Sequence, residues 1–152
     1  MDLSIDITMA IAVLGAVLGI INTWTTVNST RVKMRVRPLR VFTERGSMIA
    51  IEVTNLSNFA LTINDVGFLF SRPWKSTPER LCLKSPIFFD NGQWPRKLEP
   101  REQVTAYIFL HDLPNGRSLW AGYARTMCDE IAYGKTPALK EISRQLSNAS
   151  PS

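Results

Sequence analysis

Few side chains in this chain have reactive chemistry. The one histidine, His111, is followed by Asp112, the only adjacent pair with the makings of an oriented general base. A nucleophile-and-base mechanism also needs a positioned nucleophile, and no Gly-x-Ser-x-Gly elbow or equivalent occurs. Cys82 and Cys128 stand 46 positions apart, so with a single imidazole they cannot make a crowded His/Cys metal cluster. Gly134-Lys-Thr136 ends like a phosphate loop, but the stretch Cys128-Asp-Glu-Ile-Ala-Tyr133 lacks the glycine that such a loop requires upstream. The expectation is a protein with no catalytic residue, no metal and no cofactor. Two alternatives stay open: an enzyme or enzyme accessory using His111, Asp112 and a cysteine, and an exported domain closed by a Cys82–Cys128 disulfide. In a reducing compartment both cysteines read as small buried hydrophobes.

Recognition chemistry is better represented. Arg72-Pro-Trp74-Lys75 and Trp94-Pro-Arg96-Lys97 each set a tryptophan beside a proline and two cations. Proline keeps such segments out of regular pairing, and an exposed tryptophan in a stiff basic loop is a common partner anchor. The competing reading folds each tryptophan back as a plug over the end of the core. A second basic feature is Arg31, Lys33, Arg35 and Arg37, whose alternation puts cations on one strand face. Near an anionic leaflet each such residue gains about 1 kcal/mol. The formal net charge of +5 is concentrated here: residues 31–45 hold six basic residues against Glu44, while 1–30 hold only Asp2 and Asp6. A stripe of this kind does not spread over a domain face, so no nucleic-acid partner is expected.

The element that positions the stripe precedes it. Ile7 to Val27 is free of charge for 21 positions. As a helix it would be about 31 Å long, against a hydrocarbon thickness of roughly 30 Å. Trp24 falls near its polar end, where aromatic residues favour the headgroup level. The flank Met1–Asp6 is acidic, unlike the basic start of a cleaved signal peptide. Five cations lie between residues 28 and 40 and none precedes the span, which predicts the amino terminus outside and the following domain in the cytoplasm. Ala12, Gly15, Ala16 and Gly19 share one helix face, and the Gly15–Gly19 spacing allows close approach of a second helix, so a homodimer is one expectation.

Beyond the span the period changes from 3.6 to 2. Val32, Met34 and Val36 alternate with the cations, and Pro38 places this strand at an edge or breaks it. Residues 48–54, 61–63, 66–70, 81–83, 87–89, 104–110 and 119–126 read as short strands or strand pieces. Asn64-Asp65 reads as a break, Asn91-Gly92 as a hairpin turn and Leu98–Glu102 as a polar corner. About seven strands without helical period argue for a β-sandwich or barrel. From Thr136 a helix begins, with Thr136 as cap, Pro137 in its first turn and Leu139, Ile142 and Leu146 as its apolar stripe. The expected organisation is an anchor at 1–30, a basic juxtamembrane segment and first strand at 31–45, the rest of the β-sandwich at 46–135, and a helix with a frayed tail at 136–152.

The string Ile51-Glu-Val-Thr-Asn-Leu-Ser-Asn-Phe-Ala-Leu-Thr-Ile-Asn-Asp-Val-Gly67, with Leu98–Glu102, Ala124-Arg-Thr126 and Tyr133–Ala138, resembles a group of uncharacterised bacterial and prophage-type small membrane proteins. These place one membrane helix before an immunoglobulin-like β domain. The resemblance implies that mainly-β architecture and a single-pass protein of a bacterial inner membrane, and it brings no site residues with it. The expected partners are a bilayer with anionic lipids and a protein bound by a membrane-anchored scaffolding module.

Overall fold

The computed structural model describes residues 3–44, 46–71, 78–84, 86–90, 92–114 and 117–148. It divides into two compact units, Met1–Arg31 and Val32–Ser152. The first is a helix, α1 (Leu3–Thr30), and its stretch Ile7–Thr30 is long and apolar enough to cross a membrane. Its apolar side chains are exposed, among them Ile20, Leu14 and Trp24. Thr23, Thr25, Thr26, Ser29 and Thr30 donate their hydroxyls to carbonyls three or four residues back, so the polar end of the helix satisfies its own side chains.

The second unit is mainly β. One sheet has the order β1 (Met34–Thr43), β2 (Gly46–Asn55), β6 (Gln103–Phe109). The other runs β4 (Glu79–Cys82), β3 (Leu61–Ser71), β7 (Ser118–Thr126), β8 (Ile131–Gly134), and β5 (Arg96–Leu98) adds to β3. All named pairs are antiparallel. Val36, Ile51, Val53 and Val104 from the first sheet meet Ile63, Val66, Phe68, Phe70 and Leu98 from the second in one buried cluster. A helix, α2 (Pro137–Asn148), completes it with Leu139, Ile142 and Leu146. Thr136 caps that helix: its hydroxyl accepts from the Leu139 N–H at 3.4 Å and donates to the Pro38 carbonyl at 2.6 Å. Ser143 on the same helix accepts the buried Leu119 N–H at 2.9 Å.

Several expectations meet corrections. Of the two readings of Pro38 the edge position holds: β1 passes through it as an edge strand, where a missing N–H is tolerated. Asn64-Asp65 is not a break but a bulge inside the continuous β3, because the register to β7 slips between Ile63 and Asp65. Residues 87–89 make only an isolated bridge, Ile87 to Tyr107. Asn91-Gly92 joins no hairpin: Ile87 pairs with β6 in one sheet and Arg96–Leu98 with β3 in the other, so this segment crosses between sheets. Asn91 itself lies outside the described residues. The corner at Leu98–Glu102 holds, with only Leu98 in β5 and a turn at Pro100-Arg101, whereas β8 was unmarked in the sequence. It approaches β1 so closely that a Cβ on Gly134 would meet the Val36 carbonyl oxygen.

Asn55 is the buried hub of one end. Its amide donates to the carbonyls of Phe59, Leu98 and Glu99 at 2.8, 3.1 and 3.2 Å, and its side-chain oxygen accepts from the Ser57 N–H at 2.8 Å. Ser57 in turn accepts the Lys33 N–H at 2.8 Å, and Leu56 N–H donates to the Lys33 carbonyl. The entry to β1 is therefore pinned by the turn between β2 and β3.

Candidate interaction surface

His111 sits in a short 3-10 turn, Leu110–Asp112, with 74% of its side chain exposed. It stacks on Phe109 at 5.2 Å, and its Nε2 lies 3.4 Å from Asp112 Oδ1. No described cysteine, serine or threonine is bonded to it.

The expectation that both cysteines are buried is corrected: Cys82 and Cys128 are free and exposed. The Cys82 Sγ donates to Asp65 Oδ1 at 2.9 Å, and the Tyr123 hydroxyl donates to Asp65 Oδ2 at 3.1 Å. Arg125 Nη2 stands 3.5 Å from the same carboxylate. Although the Cys82 side chain reaches solvent, partial desolvation, then the Asp65 hydrogen bond and charge, push its thiol pKa up to about 11. Burial and the same carboxylate also raise the Tyr123 phenol. The thiol is held protonated, which is opposite to what a nucleophilic cysteine needs. The cluster locks the outer side of β3, β4 and β7. Among the described residues no group of acids, histidines and cysteines could hold a metal ion.

Of the two tryptophan loops, Arg72, Trp74 and Lys75 lie outside the described residues. Trp94 is half-buried against the core, stacks on Phe88 at 5.5 Å and donates its indole N–H to the Asn64 carbonyl at 3.0 Å. It occupies the plug position, not that of an exposed anchor. The bulge at Asn64 explains why, since it turns a carbonyl out of the ladder toward the indole. Arg96 is engaged by Asp90 at 2.7 Å and Lys97 by Glu99 at 2.8 Å.

The basic strand keeps its alternation. Lys33, Arg35 and Arg37 are exposed and Val36 is buried. Arg37 reaches Glu52 across the ladder at 3.9 Å, whereas no described carboxylate pairs with Lys33 or Arg35. Arg31 is exposed at the end of the first unit. Ala12, Gly15, Ala16 and Gly19 are exposed along one side of α1, and nothing lies within 4 Å of a Cβ built on either glycine.

The register of β1, β2 and β6 adds a surface that sequence reasoning missed. Successive cross-strand rows on the outer side are Arg35, Thr54 and Gln103; Arg37, Glu52 and Thr105; Leu39, Ala50 and Tyr107; Val41, Met48 and Phe109. The side is polar and cationic at one end and apolar at the other. Ile87 and Phe89 extend the apolar end: Phe89 packs on Tyr107 at 4.5 Å and is 64% exposed. With Thr43, Glu44, Met48 and Phe109 they line an open groove of about 530 Å³. The signal was present in the parity of β1, where Lys33, Arg35, Arg37, Leu39 and Val41 occupy one series.

No protein-family model matches the chain, and a search of curated proteins finds no match. Among solved structures the chain is similar to Northeast Structural Genomics Consortium target SoR45, at 13% identity over 74% of this chain and 90% of that one, with a TM-score of 0.31.

Proposed function

We propose that this protein is a membrane-anchored binding or scaffolding module, in which α1 spans a bacterial inner membrane once and the β unit stands at its cytoplasmic surface. The observation that carries the reading is the junction. An exposed apolar helix ends at Thr30, only residues 31–33 separate it from β1, and Lys33 just before the strand and Arg35 within it have no described carboxylate partner. Basic residues in that position hold a flank in the cytoplasm and favour an anionic leaflet. The pinned backbone of Lys33 presents the row in a fixed geometry.

An immunoglobulin-like arrangement of the β unit is supported by strand order. β1, β2 and β6 form one sheet and β4, β3, β7 and β8 the other, so that chain crossings fall between β2 and β3, near β5, and between β6 and β7. A role in binding, without catalysis, is favoured by the protonated Cys82 thiol and by His111 stacking on Phe109 in an open turn. The prophage-type origin rests on the sequence resemblance alone.

The test is topology. A dual reporter fused after Ser152 of the full chain is expected to report a cytoplasmic location in an inner-membrane fraction. Adding lysines before Ile7 and removing the cations Arg31, Lys33, Arg35 and Arg37 should weaken or invert it. Activity of the reporter only in the periplasm would overturn the orientation and restore the exported, disulfide-bonded alternative.

A further inference from the structure

We infer that the outer side of the β1–β2–β6 sheet is itself a membrane-docking face that lies on anionic lipid headgroups, with its apolar end seated in the interface. This rests on the reading above that α1 spans a bilayer, and it goes further by naming what the face touches.

An antiparallel sheet that faces water keeps polar side chains outward. Here two consecutive rows break that rule, and they are flanked by exposed Phe89 and Ile87. Met48, 2% exposed, is covered on what should be the wet side. Arg35, which pairs with no described carboxylate, shares this side with the apolar rows, as does Arg37. Cations next to aromatic and aliphatic groups on one flat face match an anionic headgroup layer above an acyl boundary. Tyr107 suits the same depth, since its ring is apolar and its hydroxyl wet. Chain reach agrees: the four Cα steps from Thr30 to Met34 span at most about 14 Å, which keeps the start of β1 beside the bilayer. Glu44 marks the far rim of the groove and Glu52 is engaged by Arg37, so the acids do not interrupt the cationic end.

The experiment uses the full chain in vesicles of phosphatidylcholine and phosphatidylglycerol, with Cys82→Ser and Cys128→Ser. An environment-sensitive fluorophore is attached through Phe89→Cys or, on the opposite sheet, through Tyr133→Cys; Tyr133 is half-exposed and pairs with Tyr123. Spin-labelled lipid is the quencher. Flotation with the vesicles reads the anchor separately from the face. The label at position 89 is expected to be quenched strongly and the label at position 133 weakly. Arg35→Gln and Arg37→Gln should each weaken docking about fivefold, as should dilution of phosphatidylglycerol. Equal quenching at both positions, or none at 89 in protein that floats, overturns the docking face and leaves the anchor standing. Rapid disulfide crosslinking of the Phe89→Cys variant to itself, without lipid quenching, gives the face to a second copy and also overturns the proposal. Failure to float overturns the spanning reading and this inference with it.

Discussion

Replacing Trp94 decides whether the second tryptophan loop is structure or contact surface. The indole is half-buried, stacked on Phe88 and bonded to the Asn64 carbonyl. A tryptophan buries about 150–250 Å² when fully covered, so half of that is roughly 100 Å², or about 2.5 kcal/mol at 25 cal/mol per Å². Loss of the indole hydrogen bond adds about 1 kcal/mol. Trp94→Ala is therefore expected to cost roughly 3–4 kcal/mol. Trp94→Phe keeps a ring against Phe88 and should cost only the hydrogen bond and some area, about 1–2 kcal/mol. For a β unit of this size 1 kcal/mol moves Tm by roughly 4 °C, so the two variants should melt about 12–16 °C and 4–8 °C below the parent. The assay is near-ultraviolet circular dichroism of the full chain in detergent, with Lys97→Ala as a surface control expected to leave Tm in place. An unchanged Tm for Trp94→Ala would refute the argument, because a seated plug cannot be removed without loss.

Other outcomes follow from equally local features. Asn55→Asp turns the donor facing the carbonyls of Phe59, Leu98 and Glu99 into an acceptor and should cost about 4 kcal/mol or more in denaturant titrations. The new carboxyl would have a raised folded pKa, so that variant should regain stability as pH falls. Gly134→Ala drives a methyl at the Val36 carbonyl and should cost about 1–3 kcal/mol, whereas Gly15→Ala, with open space around it, should not unfold α1. Cys82 should resist alkylation until pH approaches 11, and Asp65→Asn should bring its reaction to lower pH; mass spectrometry of trapped thiols reads both. Its folded pKa lies above the ordinary value of 9.0, so the stability it contributes is complete below about pH 9 and is lost as pH rises toward 11.

What could be read from the sequence was what repeats over many residues. The span, the alternation of β1 and the 139, 142, 146 stripe each extend over several periods, so a local pattern sufficed. The short pieces were lost for a physical reason. β5 and β8 are three and four residues long, and what fixes them is a partner strand far along the chain, not their own composition. Asn91-Gly92 has strong turn chemistry, yet turn chemistry does not say which sheet the next segment joins. Pro38 left an edge strand and a broken one both open, and only the register shows that Leu39 and Val41 continue the parity series of the cations on the face it assembles. Trp94 was legible as an aromatic beside cations, but its orientation depends on a bulge at Asn64, thirty residues away.

The closing of β1 by the other end of the chain has a consequence for biosynthesis. The strand next to α1 is the first part of the β unit to be made. Its Pro38 carbonyl is satisfied by Thr136, its Arg40 is paired by Glu141 at 3.2 Å, and its flank is approached by Gly134. Those partners follow it by about a hundred residues. β2 can pair early across the tight connection at Gly46, but the opposite flank of β1 stays open until residues 134–141 have been made. A chain stopped before residue 134 would thus keep its cationic strand while lacking the clasp that seals its flank. The clasp thus makes closure of the first strand of the β unit wait for residues 134–141.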